Sequence, residues 1–263
     1  MSQGLTKESL VGVVGSGAMG TGIAQVVAVA GHEVLLFDAR DGAAQAACES
    51  IRKVLASLVD KGRMTAEQAS SASSRLNAAS SLNEFKQAAL VVEAIVENLA
   101  AKQQLFASIE EIVSFHCVLA TNTSSISITS IGAKLKHPSR LVGMHFFNPV
   151  PLMALVEVIS GLATSPVVAD CIEVTAKAWG KLPVRATSTP GFIVNRVARP
   201  FYAEALRLLL EQAADPVSID AVMREAGGFR MGPFELMDLI GHDVNFAVTQ
   251  SVFEAYHHDP RFT

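Results

Sequence analysis

The order of the sequence predicts an α/β fold: a mainly parallel, doubly wound sheet followed by an all-helical C-terminal domain. Three observations carry it. Short apolar runs alternate with helical periodicity through the first two thirds of the chain. The first apolar run leads into a glycine-punctuated stretch, GSGAMG, that opens a helical pattern. From Gly191 onward the alternation ceases and almost everything reads as helix.

Strands are expected at Leu10–Val14, Glu33–Phe37, Leu90–Ala94, Val118–Thr121 and Leu141–Phe146. Helices over Thr21–Ala30, Gly42–Asp60, Ala101–Ser114 and Ile126–Leu135 lie among them, as βαβ units require. Two further strands, near Leu155–Ile159 and Leu182–Arg185, flank a helix at Pro166–Trp179. The polar run Ser70–Ser74 reads as a loop or a helix edge. Pro and Gly in TSTPG, Thr187–Gly191, break the pattern and divide the chain into domains 1–188 and 189–263. Apolar stripes at Leu206, Leu209 and Leu210, and at Phe246, Val248 and Phe253, mark helices of the second domain. Pro200, inside the helical run Phe192–Gln212, has no N–H to donate and predicts a kink.

Composition narrows the functional classes. Half of the 263 residues are hydrophobic, enough for a sizeable core. A formal net charge of -4 argues against a nucleic-acid platform, which needs clustered cations. The three cysteines, Cys48, Cys117 and Cys171, lie far apart with no CxxC pair, so neither a disulfide framework nor a zinc site is expected. The adjacent His257 and His258 lack a third ligand at metal spacing. The N-terminal segment has no basic stretch leading into an apolar run. The most apolar window, Leu141–Ile159, contains His145, Asn148, two prolines and Glu157, too polar a load for a membrane span. A soluble cytoplasmic protein is the expectation.

Gly15, Ser16, Gly17, Ala18, Met19 and Gly20 form a GxGxxG loop between a strand and a helix whose apolar face is Ile23, Val26, Val27 and Ala30. Gly15 permits a tight turn, Gly17 lets backbone approach a pyrophosphate, and Gly20 lets the helix lie close to the strand. Free N–H groups at the helix start then face the anion. The next strand ends at Asp38, eighteen positions past Gly20, near the spacing of an acid that binds a ribose. Together these predict a Rossmann-type domain that binds NAD, since a carboxylate there repels the extra phosphate of NADP. Arg40 could pair with that phosphate and counts the other way.

A second constellation lies in RLVGMHFFNPVPLMALVEVISG, Arg140–Gly161. His145 sits near the C-terminal end of one strand, and Glu157, among apolar neighbours, lies on the next. A buried carboxylate needs a partner, and a His145–Glu157 hydrogen bond would satisfy both groups and orient the imidazole for proton transfer. A histidine in such a strand is, by itself, more often a satisfied core residue. Glu97 and Lys102 by themselves read as a helix N-terminal acid and a solvated lysine, and Lys53, Lys61 and Arg63 as a solvated face.

The sequence resembles the 3-hydroxyacyl-CoA dehydrogenase family over nearly its whole length. The matching segments are VGVVGSGAMGTGIAQ, VVEAIVENLAAKQQLF, LATNTSSISI, GMHFFNPVPLMALVEVI, TPGFIVNRVARPFYAEA and MGPFELMDLIG. The resemblance implies a catalytic pair at His145 and Glu157, with the family's serine at Ser124 and its second-domain asparagine at Asn195. It implies that Ala94, Glu97, Lys102 and Asn148 lie near the cofactor, and that Lys53, Lys61 and Arg63 are weak candidates for the coenzyme A phosphates. An acyl-CoA substrate, a homodimer through the helical domain and an active site in the cleft between domains follow in the same way.

The second-domain wording looks most like the longer 3-hydroxyadipyl-CoA dehydrogenases of bacterial phenylacetate breakdown. In them a second helical domain follows, which implies that this chain is shortened. A distal carboxylate on the substrate calls for a cation, and Arg199, Arg207 and Arg230 are the candidates. The alternatives are a short-chain 3-hydroxybutyryl-CoA enzyme and a non-catalytic, crystallin-like NAD-binding relative. The presence of Ser124, His145, Glu157 and Asn195 weighs against the latter.

Overall fold

The computed structural model describes residues 3–262, so the outer bounds of the two expected domains, Met1 and Thr263, lie outside the described residues. Contacts divide the chain into two compact units, with the division after Ser188.

In the first unit one sheet of eight strands has the order β3-β2-β1-β4-β5-β6-β7-β8. The strands are β1 (Val11–Val14), β2 (Val34–Phe37), β3 (Leu76–Ala78), β4 (Leu90–Glu93), β5 (Val118–Thr121), β6 (Leu141–Phe146), β7 (Leu155–Ser160) and β8 (Leu182–Thr187). Every neighbouring pair is parallel except β6 and β7. β1, β4, β5 and β6 are buried along their whole length, as expected of strands covered on both faces. The helices of this unit are α1 (Ala18–Ala30), α2 (Ala43–Asp60), α3 (Ala66–Ser74), α4 (Leu99–Ile112), α5 (Ile128–Gly132) and α6 (Pro166–Ala178).

The chain winds outward from β1 through β2 to β3, then returns to place β4 on the other side of β1. This reversal leaves a crevice beyond the C-terminal ends of β1 and β4, where ligands bind in open α/β sheets.

Four local differences from the sequence expectation have physical reasons. α1 starts at Ala18 rather than Thr21, because Gly17 is its extended N-cap and the second half of the glycine loop is already its first turn. β3 was not expected: its three residues, with Asn77 at the centre, make too short an apolar run to read. The run Ser70–Ser74 is the second half of α3, whose small side chains let Ala69 and Ala72 be buried. The expected helix at Ile126–Leu135 shrinks to α5, capped by the Ser127 hydroxyl.

The second unit contains α7 (Val194–Leu210), α8 (Pro216–Glu225), α9 (Pro233–Ile240) and α10 (His242–Ala255). α7 runs as one helix through Pro200, and Arg199 Nε donates to the Asn195 carbonyl at 3.2 Å within the stretch that proline disturbs. Asp220 ties α8 to the start of α9 by accepting from the amides of Phe234 and Glu235 at 2.9 and 3.0 Å. Among the described residues, no helix is long and apolar enough to cross a membrane.

Candidate active site at the C-terminal edge of the sheet

Five of the parallel strands, β1, β2, β4, β5 and β6, end at one edge, and each delivers a piece of the site. After β1 comes the glycine loop. A Cβ on Gly15, at φ 101°, would run into the Ala94 carbonyl, and one on Gly20 into the Gly15 carbonyl, so both positions exclude any side chain. A Cβ on Gly17 would meet nothing within 4 Å, which leaves open space before the N-terminus of α1. That cradle fits a pyrophosphate.

Asp38, just past β2, holds this loop. Its Oδ2 accepts from the Ser16 amide at 2.8 Å and the Ser16 hydroxyl at 2.7 Å. Its Oδ1 accepts from the Arg40 amide and Nε, both at 3.0 Å. The Arg40 side chain, with lesser help from Ser16, holds the Asp38 carboxyl well below the usual carboxylate range. Arg40 therefore spends its charge on Asp38.

After β4 and β5 comes a buried ionic network. Lys102, on the first turn of α4, is 1% exposed, so the reading of a solvated lysine is corrected. Its ammonium lies between two carboxylates, 2.5 Å from Glu93 Oε1 and 3.3 Å from Glu97 Oε2. Glu93, the last residue of β4, also accepts from the Ile95 amide and the Thr121 hydroxyl, each at 2.7 Å. Glu97 Oε1 accepts from Thr123 Oγ1 at 2.6 Å, from the Ser124 amide at 2.8 Å and from the Ser125 amide at 3.1 Å. The Ser124 hydroxyl donates to the same oxygen at 3.2 Å. Burial works to raise the Glu97 pKa, but the Lys102 charge and the bonds from Thr123 and Ser124 outweigh it and hold it low. Glu93 was not among the sequence candidates. A carboxylate that ends the apolar run LVVE is the signal that finds it.

At the end of β6, His145 stands directly opposite Glu157 in the antiparallel β6–β7 register. Opposed residues share a face of the sheet, so the side chains meet. His145 Nδ1 is 2.7 Å from Glu157 Oε2, with the two side chains 6% and 0% exposed. Asn122, just past β5, accepts from the Phe146 amide at 2.9 Å and ties the two strand ends together. The Phe147 ring tilts against the imidazole with centroids 4.5 Å apart. Such a pair can hold one imidazole tautomer and stabilise a proton taken by the other ring nitrogen.

Comparison with known proteins decides the family. The model of the 3-hydroxyacyl-CoA dehydrogenase NAD-binding domain matches residues 10–189, and that of the same family's C-terminal domain matches residues 191–263. The chain belongs to the 3-hydroxyacyl-CoA dehydrogenase family. It is 52% identical to a 3-hydroxyadipyl-CoA dehydrogenase of Escherichia coli, over 96% of this chain and 53% of that protein. It therefore spans about half the length of that relative. A probable 3-hydroxybutyryl-CoA dehydrogenase of Bacillus subtilis is 42% identical over 90% of this chain and 83% of its own. A crystal structure of a 3-hydroxybutyryl-CoA dehydrogenase from Escherichia coli superposes with a TM-score of 0.96 at 51% identity, covering 98% of this chain and 55% of that one.

In this member of the family, one sheet edge brings together Gly15–Gly20, Ala94, Glu97, Lys102, Ser124, His145 and Glu157, with exposed Asn148 two residues past β6. The cations proposed for coenzyme A do not join them. Lys53 on α2 and Lys61 just after it are exposed. Arg63 lines a groove with Val29, Ala30 and Gly31, at the end of α1 remote from the glycine loop. Asn195 is on the first turn of α7 in the second unit. There, Arg199 Nη1 donates to Asn245 Oδ1 at 2.8 Å and to Thr249 Oγ1 at 2.9 Å, and its guanidinium lies over Tyr202. Arg199 is thereby committed to packing α7 on α10. Arg207 donates to Glu204 and to the Pro260 carbonyl, and Arg230 is exposed.

Proposed function

We propose that this chain oxidises a 3-hydroxyacyl-CoA to the 3-oxoacyl-CoA with NAD, using His145 as acid and base and Glu157 to orient it. The observation that carries this reading is the 2.7 Å contact between His145 Nδ1 and Glu157 Oε2, at the sheet edge that also carries the glycine loop. NAD, when bound, supplies the hydride acceptor for C3. With Nδ1–H donating to Glu157, His145 Nε2 is the base that takes the proton of the C3 hydroxyl. The imidazolium so formed is stabilised by the Glu157 carboxylate. In the reductive direction Nε2 returns the proton to the ketone oxygen. Ser124 and Asn195 hold the substrate oxygens and aim C3. Gly15, Gly17, Ala18, Met19 and Gly20 cradle the cofactor phosphates, and Asp38 receives the ribose. Ala94, Glu97, Lys102 and Asn148 line the rest of the cofactor site. Lys53, Lys61 and Arg63 remain weak candidates for the coenzyme A phosphates.

The substrate proposed is 3-hydroxyadipyl-CoA, formed in phenylacetate breakdown, on the strength of the relative of that description at 52% identity. A 3-hydroxybutyryl-CoA substrate is favoured instead by the solved relative so titled. Among the three arginines, Arg230 is left as the cation for a distal carboxylate, because Arg199 is committed to Asn245 and Thr249 and Arg207 to Glu204 and the Pro260 carbonyl. We also propose a cytoplasmic homodimer formed through the second unit. Large apolar side chains there are exposed, Leu210 at 83% and Val217 at 77% among them.

The test is NADH oxidation with 3-oxoadipyl-CoA and with acetoacetyl-CoA. Turnover of either supports the dehydrogenase reading, and the faster one assigns the substrate. No turnover of either, with NAD still bound, overturns the assignment of activity to this length of chain.

A further inference from the structure

Lys181 is a buried cation that the proposed chemistry does not use. It lies between α6 and β8 and is 6% exposed. Its ammonium donates to two carbonyls, Val150 at 2.6 Å and Met153 at 2.9 Å. Among the described residues no carboxylate pairs with it, and burial pushes its pKa down. Burying a charge without a counter-ion is unfavourable unless hydrogen-bond acceptors compensate it. Among the described residues, two carbonyl oxygens accept from it.

Those carbonyls belong to the segment that leaves β6. From Asn148 to Ala154 every residue is exposed except Val150, which is 1% exposed. Within the segment the amides of Leu152 and Met153 both donate to the Pro149 carbonyl at 3.0 Å, closing a turn. At its far end the Ala154 carbonyl accepts from the Leu182 amide at 2.8 Å. Val150 packs on α1: a Cβ on Gly22 would come within 2.8 Å of the Val150 Cβ. Gly22 is two residues past the last glycine of the loop. Lys181 thus clamps from one side a turn whose single buried side chain rests on the cofactor helix from the other.

We propose that Lys181 is a positioning residue whose ammonium holds residues 149–153 against α1 and so holds Asn148 beside the glycine loop. The inference rests on the NAD-dependent reading above. An ammonium suits the task because its donors fan out to separate carbonyls, whereas a methionine of similar length offers none.

The experiment compares Lys181→Met and Lys181→Arg with the native chain. Calorimetric NAD+ titration gives affinity, and hydrogen exchange follows the amides of Leu152 and Met153. Lys181→Met is expected to weaken NAD+ binding by about tenfold or more, as loss of a charge-assisted hydrogen bond would. It is expected to speed exchange at Leu152 and Met153 while amides in β1 and β5 keep their protection. Lys181→Arg is expected to restore both. Val150→Ala, which leaves the ammonium in place but loosens the seat on Gly22, carries the same test if Lys181→Met does not fold. NAD+ affinity within twofold of native in a folded Lys181→Met or Val150→Ala protein overturns the proposal. Failure of the native chain to bind NAD+ overturns the underlying reading instead.

Discussion

Lys102 lies closer to Glu93 than to Glu97, at 2.5 Å against 3.3 Å, and both members of the closer pair are buried. Glu97 is the partner that reaches solvent and gathers the turn at Thr123–Ser125. Glu93 is the one that anchors the cation, so the position of Lys102 at the sheet edge depends on a residue one layer behind it.

Glu93→Gln keeps the shape and removes the charge. It is expected to lower stability by about 3 kcal/mol, because it breaks a buried pair and leaves Lys102 to Glu97 alone. The double variant Glu93→Gln/Lys102→Met is expected to lose less than the sum of the single losses, by on the order of 1 to 3 kcal/mol. Urea unfolding of the four proteins measures this, and strict additivity would show that the contact carries no coupling.

His145→Ala is expected to leave NAD+ binding near native and to lower turnover by at least roughly 10²-fold, the usual cost of losing a general base. Glu157→Gln keeps a hydrogen-bond partner for Nδ1 but not the charge that stabilises imidazolium, so a loss of about 10²- to 10⁴-fold is expected. Steady-state kinetics of both variants is the check. Near-native turnover in either would sink the proposed roles.

Asp38→Ser should release Arg40 from its present bond. The freed guanidinium is then available to a 2′-phosphate, and the repelling carboxylate is gone. NADP+ affinity is expected to rise by about tenfold or more while NAD+ affinity falls, consistent with one charge-assisted hydrogen bond. Titration with both nucleotides decides it, and unchanged preference would mean that the ribose is recognised elsewhere.

Burial pushes the Cys117 thiol up to about 12. Its folded value therefore lies above the value of roughly 8.5 in an unfolded chain. Below the unfolded value both states hold the proton and the native stability is intact. As pH rises from there towards 12, the unfolded chain loses the proton first, so stability falls by about 1.4 kcal/mol per pH unit from this group. Cys117→Ala is expected to flatten that decline between about pH 9 and 11, with Cys48, Cys171 and Tyr202, also raised by burial, contributing equally to both proteins. Urea midpoints across that range provide the measurement. An unchanged slope would show that Cys117 titrates normally.

Much of this was legible because it is local. The glycine loop, its strand and its helix follow one another in the chain, and Gly15 and Gly20 each have a steric reason to be there. The His145–Glu157 bond was expected because a carboxylate among apolar neighbours needs a partner, and the antiparallel register that sets the two residues opposite each other came from the structure. Lys102 taken by itself reads as a solvated lysine for the opposite reason. Its burial depends on Glu93, which Thr121 holds from the neighbouring strand, and no periodicity around Lys102 records them. β3 escaped notice because three residues that pair only with β2 carry too little apolar pattern of their own.

Nearest-neighbour chemistry along the chain was thus enough for the fold class and the glycine loop, while the proposed roles of His145 and Glu157 drew on the family resemblance as well. Contacts between segments far apart in sequence were needed for everything that holds those parts in place. Thr121 holding Glu93 beneath Lys102, and Lys181 beneath Val150 and Met153, belong to this second group. The reason is electrostatic. A charged side chain reads as surface in one dimension, and only the folded arrangement of carbonyls and carboxylates around it can compensate its burial.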